Sequence, residues 1–180
     1  MVNIQGQWLY HVVTVEFMLH QFGSDAGEFF IHRNIANLVP PYKKDEDYHG
    51  TSSAIEYAVK SLKIPHIIVL GHSTCGGVKA SYDYFSENKS SLKEESNFVT
   101  SWLEILRPSF NNLPNDLNEK NKVSYLEKAA VLTSVNNLTT FPFIQDAINN
   151  GSLSIHGFWH NIGTGELMSY DIKTKKFIFV

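Results

Sequence analysis

The chain has a single cysteine, Cys75, in 180 residues. No intrachain disulfide can form, and a lone thiol suits a reducing compartment, so the cytoplasm is the expected location. There is no basic excess. Fifteen Lys and Arg stand against 18 Asp and Glu, for a formal charge of −3, which argues against a nucleic-acid or anionic-membrane surface. No apolar run approaches the length of a membrane span. Residues 8–19 are fairly apolar, but no basic segment precedes them and no small-residue cleavage site follows, so a signal peptide is not expected. Repeats and low-complexity linkers are missing too. What is present is 43% apolar content with 12 Phe and 8 Tyr. That suffices for a hydrophobic core, and a single domain over residues 1–180 is expected.

The pattern along the chain alternates between strand and helix signals. Residues 28–33 (Glu-Phe-Phe-Ile-His-Arg) read as a short strand, and Pro40-Pro41 ends what precedes it. Lys43 to Asp47 reads as a solvated, charged loop. From Thr51 to Leu62 the spacing is helical: Ala54, Ile55, Ala58, Val59 and Leu62 share one face, with Thr51 or Ser52 available as cap. Pro65 stops that helix. His66 to Leu70 is then a continuous apolar run of the kind found in a parallel strand buried on both faces. Helices are expected over Val78–Phe85, 98–106, 119–137 and Phe141–Asn149, the last stopped at Gly151. The tail returns to strands at Leu153–His160, Leu167–Ile172 and Phe177–Val180, with a turn at Gly163-Thr164-Gly165. The fold class expected is α/β: a mainly parallel central sheet flanked by helices, with a C-terminal strand addition.

Gly71-His72-Ser73-Thr74-Cys75-Gly76-Gly77 joins the buried strand to the next helix. In open α/β sheets, ligand sites gather at the carboxyl ends of strands. The glycines allow a sharp turn. A helix N-terminus favours the thiolate that a metal needs. Zinc takes His nitrogen and Cys sulfur tetrahedrally, and a catalytic site uses three protein ligands plus a water. His72 and Cys75 are therefore candidate metal ligands. A bare His-x-x-Cys spacing is also compatible with core packing, and Cys75 as a nucleophile with His72 as its base is a rival chemistry.

This segment resembles the second zinc motif of the β-class carbonic anhydrases. Gly27 to Asn37 (Gly-Glu-Phe-Phe-Ile-His-Arg-Asn-Ile-Ala-Asn) resembles the stretch after that family's first motif. Ser134-Val135, Asn137-Leu138 and Thr140 to Phe143 resemble its late helices. Leu153 to Trp159 and Ile162 to Leu167 resemble its C-terminal strands. The resemblance runs in order over about residues 22–172. It implies a carbonate dehydratase, which hydrates CO2 reversibly to bicarbonate and a proton. It also implies one Zn2+ per chain that lowers the pKa of its bound water to about 7 and so supplies a hydroxide nucleophile. His72 and Cys75 would be two of three protein ligands. Arg33 and Gly76 are the residues it would bring near substrate. Read alone, Arg33 equally suits an internal ion pair and Gly76 a structural turn. Intact relatives form homodimers or higher homo-oligomers, so the same is expected here.

The third ligand in the family is the Cys of a Cys-x-Asp-x-Arg motif, whose Asp–Arg pair orients the metal-bound oxygen. Its Cys lies 22 residues before the Arg of the Arg-Asn segment, which is His11 here, and the Asp and Arg positions fall on Val13 and Val15. His11 could ligate zinc. The two valines cannot stand in for a carboxylate and a guanidinium. The family's N-terminal helical arm is likewise not expected from this sequence. A shifted reading frame would account for the departure; the alternative is a diverged segment that happens to allow this reading. Joining the third base of each codon to the first two of the next allows Cys, Ser, Asp, Ser and Arg to be read across His11 to Glu16. Upstream, Gln7 to Tyr10 shifts into residues suited to a short buried strand. Residues 1–21 are therefore expected to be an out-of-frame segment, with family-like sequence over 22–180. The expected function is a carbonic anhydrase by descent with impaired turnover. The alternative is an inactive homologue that binds a metal or an anion.

The remaining histidines, His20, His32, His49, His66, His156 and His160, have no partner at ligand spacing and read as surface or hydrogen-bonded core residues. Phe141, Phe143, Phe158 and Trp159 read as core or subunit interface.

Overall fold

The structure is a computed structural model that describes residues 8–11, 28–44, 48–86 and 97–180. Six strands form one sheet: β1 (Trp8–His11), β2 (Phe29–His32), β3 (His66–His72), β4 (Ser154–His160), β5 (Leu167–Asp171) and β6 (Lys176–Phe179). Their order is β2-β1-β3-β4-β5-β6. The first four run parallel, and β5 and β6 add on antiparallel. This is the α/β sheet with a C-terminal strand addition that the sequence pattern predicts.

β3 occupies the middle because its residues tolerate burial on both faces. Six of its seven residues are buried. Alternation then sorts them. Ile67 and Val69 join the larger core with Val131, Leu138, Phe141 and Ile144. Ile68 and Leu70 pack on the opposite face beside Phe29, Ile31, Phe158 and Leu167.

The helices are α1 (Gly50–Glu56), α2 (Gly76–Phe85), α3 (Asn97–Leu103), α4 (Arg107–Asn111), α5 (Glu119–Leu138) and α6 (Pro142–Asn149). α1 runs on into a π turn over Tyr57–Ser61. Neither Thr51 nor Ser52 caps it; the N-cap is His49, without a side-chain cap bond. The Thr51 hydroxyl instead meets His32 Nε2 at 3.1 Å, tying α1 to the end of β2. α5 is capped by Asn118, whose side chain accepts from the Asn121 N–H. It crosses the sheet and also closes a second core with α2, α3 and α4 around Leu126, Ala130, Tyr82 and Phe85. Each fully buried Leu or Val on α5 contributes about 1.5–3 kcal/mol. Among the described residues, no helix is long and apolar enough to cross a membrane.

Two glycines let α5 lie close to the sheet. A Cβ on Gly71 of β3 would stand 2.6 Å from Val131 Cγ2, and one on Gly157 of β4 would stand 3.1 Å from Val131 Cγ1. The loop after β2 is drawn onto the same helix. Ser134 Oγ donates to the Asn37 carbonyl at 2.7 Å and accepts from the Val39 N–H at 3.0 Å. Asn137 Nδ2 donates to the Val39 carbonyl. These contacts hold Ala36 and Asn37 in left-handed backbone, at φ 60° and 50°.

Candidate metal site at the carboxyl end of the central strand

His72 is the last residue of β3, and Cys75 precedes the first residue of α2. The turn between them is stitched to the end of β4. Ser73 N–H donates to the His160 carbonyl at 2.8 Å, and Ser73 Oγ accepts from the Ile162 N–H at 2.9 Å. Thr74 turns the chain with φ at +56°, an uncommon conformation for a non-glycine residue. Gly77 lets α2 approach the loop after β2, since a Cβ there would stand 2.7 Å from Ile35 Cγ2. Gly76 is exposed, and a Cβ on it would meet nothing within 4 Å, so close packing does not require it.

The His72 ring is held in one tautomer. Its Nδ1 lies 2.9 Å from the Ser73 carbonyl. A carbonyl only accepts, so Nδ1 must carry the proton, and in the neutral ring Nε2 keeps its lone pair. That Nε2 is buried without a hydrogen-bond partner. An unpaired polar atom in the interior is costly unless something binds it. The Cys75 thiol, 2% exposed, is the main influence raising the His72 pKa, ahead of the opposing effect of burial. An imidazole lone pair and a sulfur thus lie beside one another in the interior, both of them donor types that zinc takes.

A buried carboxylate that the sequence did not single out stands behind them. Glu127 of α5 is 3% exposed and accepts from the Cys75 N–H at 3.2 Å. Burial raises its pKa; the Cys75 and Thr74 N–H groups, His72 and the Trp159 indole pull it back down. The Trp159 contact is loose, and its Nε1 meets no partner at hydrogen-bond geometry.

The other candidates fall as follows. Arg33 is exposed just beyond β2. The His11 backbone ends β1, opposite Val69 of β3 and His32 of β2. Its strand therefore neighbours the one carrying His72, while its side chain, together with Val13, Val15 and His20, lies outside the described residues. Among the described residues, no group of three or more His, Cys, Asp or Glu can hold a metal ion. His72 and Cys75 fit zinc as two donors, and a third is not among them.

His66 and His156 form a pair that their separation in sequence hides. Parallel pairing of β3 with β4 brings His156 Nε2 to 3.3 Å from His66 Nδ1. Burial lowers both pKa values, and the charge of His66 lowers that of His156 further. A histidine whose folded pKa lies below its unfolded value of about 6.5 adds stability above that pH. The contribution is lost as pH falls from about 6.5 through the folded pKa. Replacing His156 with Gln is expected to flatten the fall in thermal midpoint between about pH 7 and pH 5. The raised pKa values of His72 and Glu127 act in the opposite sense. The wild type minus variant difference therefore isolates the pair, and parallel curves would refute its role.

Known proteins share this fold. The carbonic anhydrase family profile matches residues 17–167. This chain belongs to the carbonic anhydrase family, in its β class. It is 35% identical to beta carbonic anhydrase 3 of Arabidopsis thaliana over 160 residues, covering 86% of this chain and 60% of that relative's length. Among solved structures, the β-carbonic anhydrase CcaA matches with a TM-score of 0.84 at 30% identity, covering 96% of this chain and 77% of that one. A tetrameric β-carbonic anhydrase of Sordaria macrospora matches with a TM-score of 0.70 at 28% identity, covering 90% and 79%.

Proposed function

We propose that this chain is a carbonic anhydrase by descent, built for reversible hydration of CO2 to bicarbonate, whose zinc site is short of a ligand. The observation that carries the reading is the buried His72 Nε2, unpaired beside the Cys75 thiol at the carboxyl end of β3. When bound, zinc would supply a water acidified enough to act near neutral pH. The residues in hand do the holding. Ser73 fixes the His72 tautomer through its carbonyl, and the β4 contacts of Ser73 fix the turn. With two donors in place of three, and valines at the Asp and Arg positions, turnover is expected far below that of an intact relative.

Burial argues against the cysteine-nucleophile reading, because reactive thiols sit in partly exposed surroundings and Cys75 is 2% exposed. The tetrameric relative supports a homo-oligomer here, and the single cysteine suits a cytoplasmic setting.

Metal content and stopped-flow CO2 hydration of the purified chain test the proposal together. We expect substoichiometric zinc and hydration near background. Stoichiometric zinc with full turnover would overturn it. Stoichiometric zinc without turnover would instead favour a binding homologue that recruits His11. Resequencing codons 1–30 addresses the cause. An open shifted frame reading Cys-Ser-Asp-Ser-Arg marks an out-of-frame segment, and any other reading makes His11 a real divergence.

A further inference from the structure

The loop Ser73–Cys75 has a difficult conformation to keep. Thr74 is left-handed at φ +56°, and Cys75 occupies the N-cap of α2 without a side-chain cap bond of its own. Backbone strain of this kind persists only where the surroundings over-determine it. Ser73 is held from β4, as described. On the other side of the turn the Cys75 N–H donates to the side chain of Glu127, 52 residues further along the chain and on a different element.

Successive N–H groups around a left-handed residue form a concavity that favours an anion. Here the anion belongs to the protein. The Glu127 carboxylate accepts from the Cys75 N–H and has the Thr74 N–H beside it. It is 3% exposed, and α5 is anchored to both β3 and β4 through Val131 against Gly71 and Gly157. A buried acceptor on so fixed a helix sets the height and direction of the turn. We infer that Glu127 is a positioning residue: its buried carboxylate holds the Thr74–Cys75 backbone so that the Cys75 sulfur stays beside His72 Nε2. This bears on the loop of the proposed zinc site but requires neither metal nor turnover, so it stands or falls separately from that reading.

The single cysteine makes the test direct. Reaction of Cys75 with iodoacetamide, in chelator and on the full-length protein, reports how often this loop opens. Truncating Glu127 leaves a buried N–H unsatisfied, and labelling of Glu127→Ala is expected to be about 10- to 100-fold faster than wild type. Two further variants separate reach from charge, and they carry the test if the alanine variant does not fold. Glu127→Gln keeps an acceptor oxygen at the same reach and should label more slowly than Glu127→Asp, which keeps the charge but withdraws it by a methylene. Ser134→Ala, on the same helix but away from the turn, is the control for general loosening. It should label more slowly than a Glu127 variant of equal thermal midpoint. Labelling of Glu127→Asp or Glu127→Ala at the wild-type rate would overturn the inference. So would Glu127→Gln reacting as fast as Glu127→Asp, or Ser134→Ala matching a Glu127 variant of equal midpoint.

Discussion

Replacing His11 to Val15 with the motif its codons allow in the shifted frame should switch on CO2 hydration. The change is His11→Cys, Val12→Ser, Val13→Asp, Thr14→Ser and Val15→Arg. On the proposed reading it would supply a third zinc donor at the end of β1, a strand that lies next to the one carrying His72 and pairs with it in register up to Val69. It would also supply the carboxylate and guanidinium that the family resemblance implies for orienting the reacting oxygen. Partners that orient a metal or its ligands are each worth about 10- to 100-fold. Two of them together with a missing ligand put the expected gain at about 1,000-fold or more over the unmodified chain. Zinc should rise to one per chain in the same preparation. His11→Cys alone should restore metal without restoring turnover, because the valines would remain. If the five-residue variant bound zinc and stayed inactive, the defect would lie elsewhere in the chain, and the lost motif would not explain it.

The parts of this architecture that were legible in the sequence are those governed by local pattern. His66 to Leu70 reads as a doubly buried strand because every residue of the run tolerates burial, and β3 is buried almost throughout. His72 and Cys75 were visible because strand, glycines and helix start share seven residues. Glu127 was not. A glutamate in a helix between Leu126 and Lys128 reads as solvent-facing, and only the packing of α5 against both the sheet and α2 puts it indoors. The His66–His156 contact was equally hidden, since it depends on the register of β3 with β4 across 90 residues. The cap expected at Thr51 or Ser52 failed, at Thr51 for a related reason. Its hydroxyl has a better use as a tertiary contact, with His32 and Asn34, and a local propensity rule cannot see a partner that arrives through folding.

Gly71 is where fold and site are most tightly coupled, and substituting it should show this. A Cβ at Gly71 would lie 2.6 Å from Val131 Cγ2, closer than real Cβ contacts come, and a tight 3.2 Å from Asn37 Oδ1. Val131 is fully buried and cannot swing aside into solvent. Gly71→Ala must therefore lift α5 from β3 or push the Asn37 loop outward, at a cost of about 2–3 kcal/mol by chemical denaturation. At Gly157 the same helix residue is 3.1 Å away, so Gly157→Ala should cost about 1 kcal/mol. The decisive experiment adds Val131→Ala. Alone it opens a cavity and destabilises. Combined with Gly71→Ala it removes the clashing methyl groups, so the double variant should be more stable than the sum of the single losses, with a coupling of about 1–2 kcal/mol. Strict additivity would mean that the Gly71 methyl is accommodated by backbone movement away from Val131. His72 follows Gly71 directly, so the lifted state should also label Cys75 faster, and the second substitution should reverse that together with the stability.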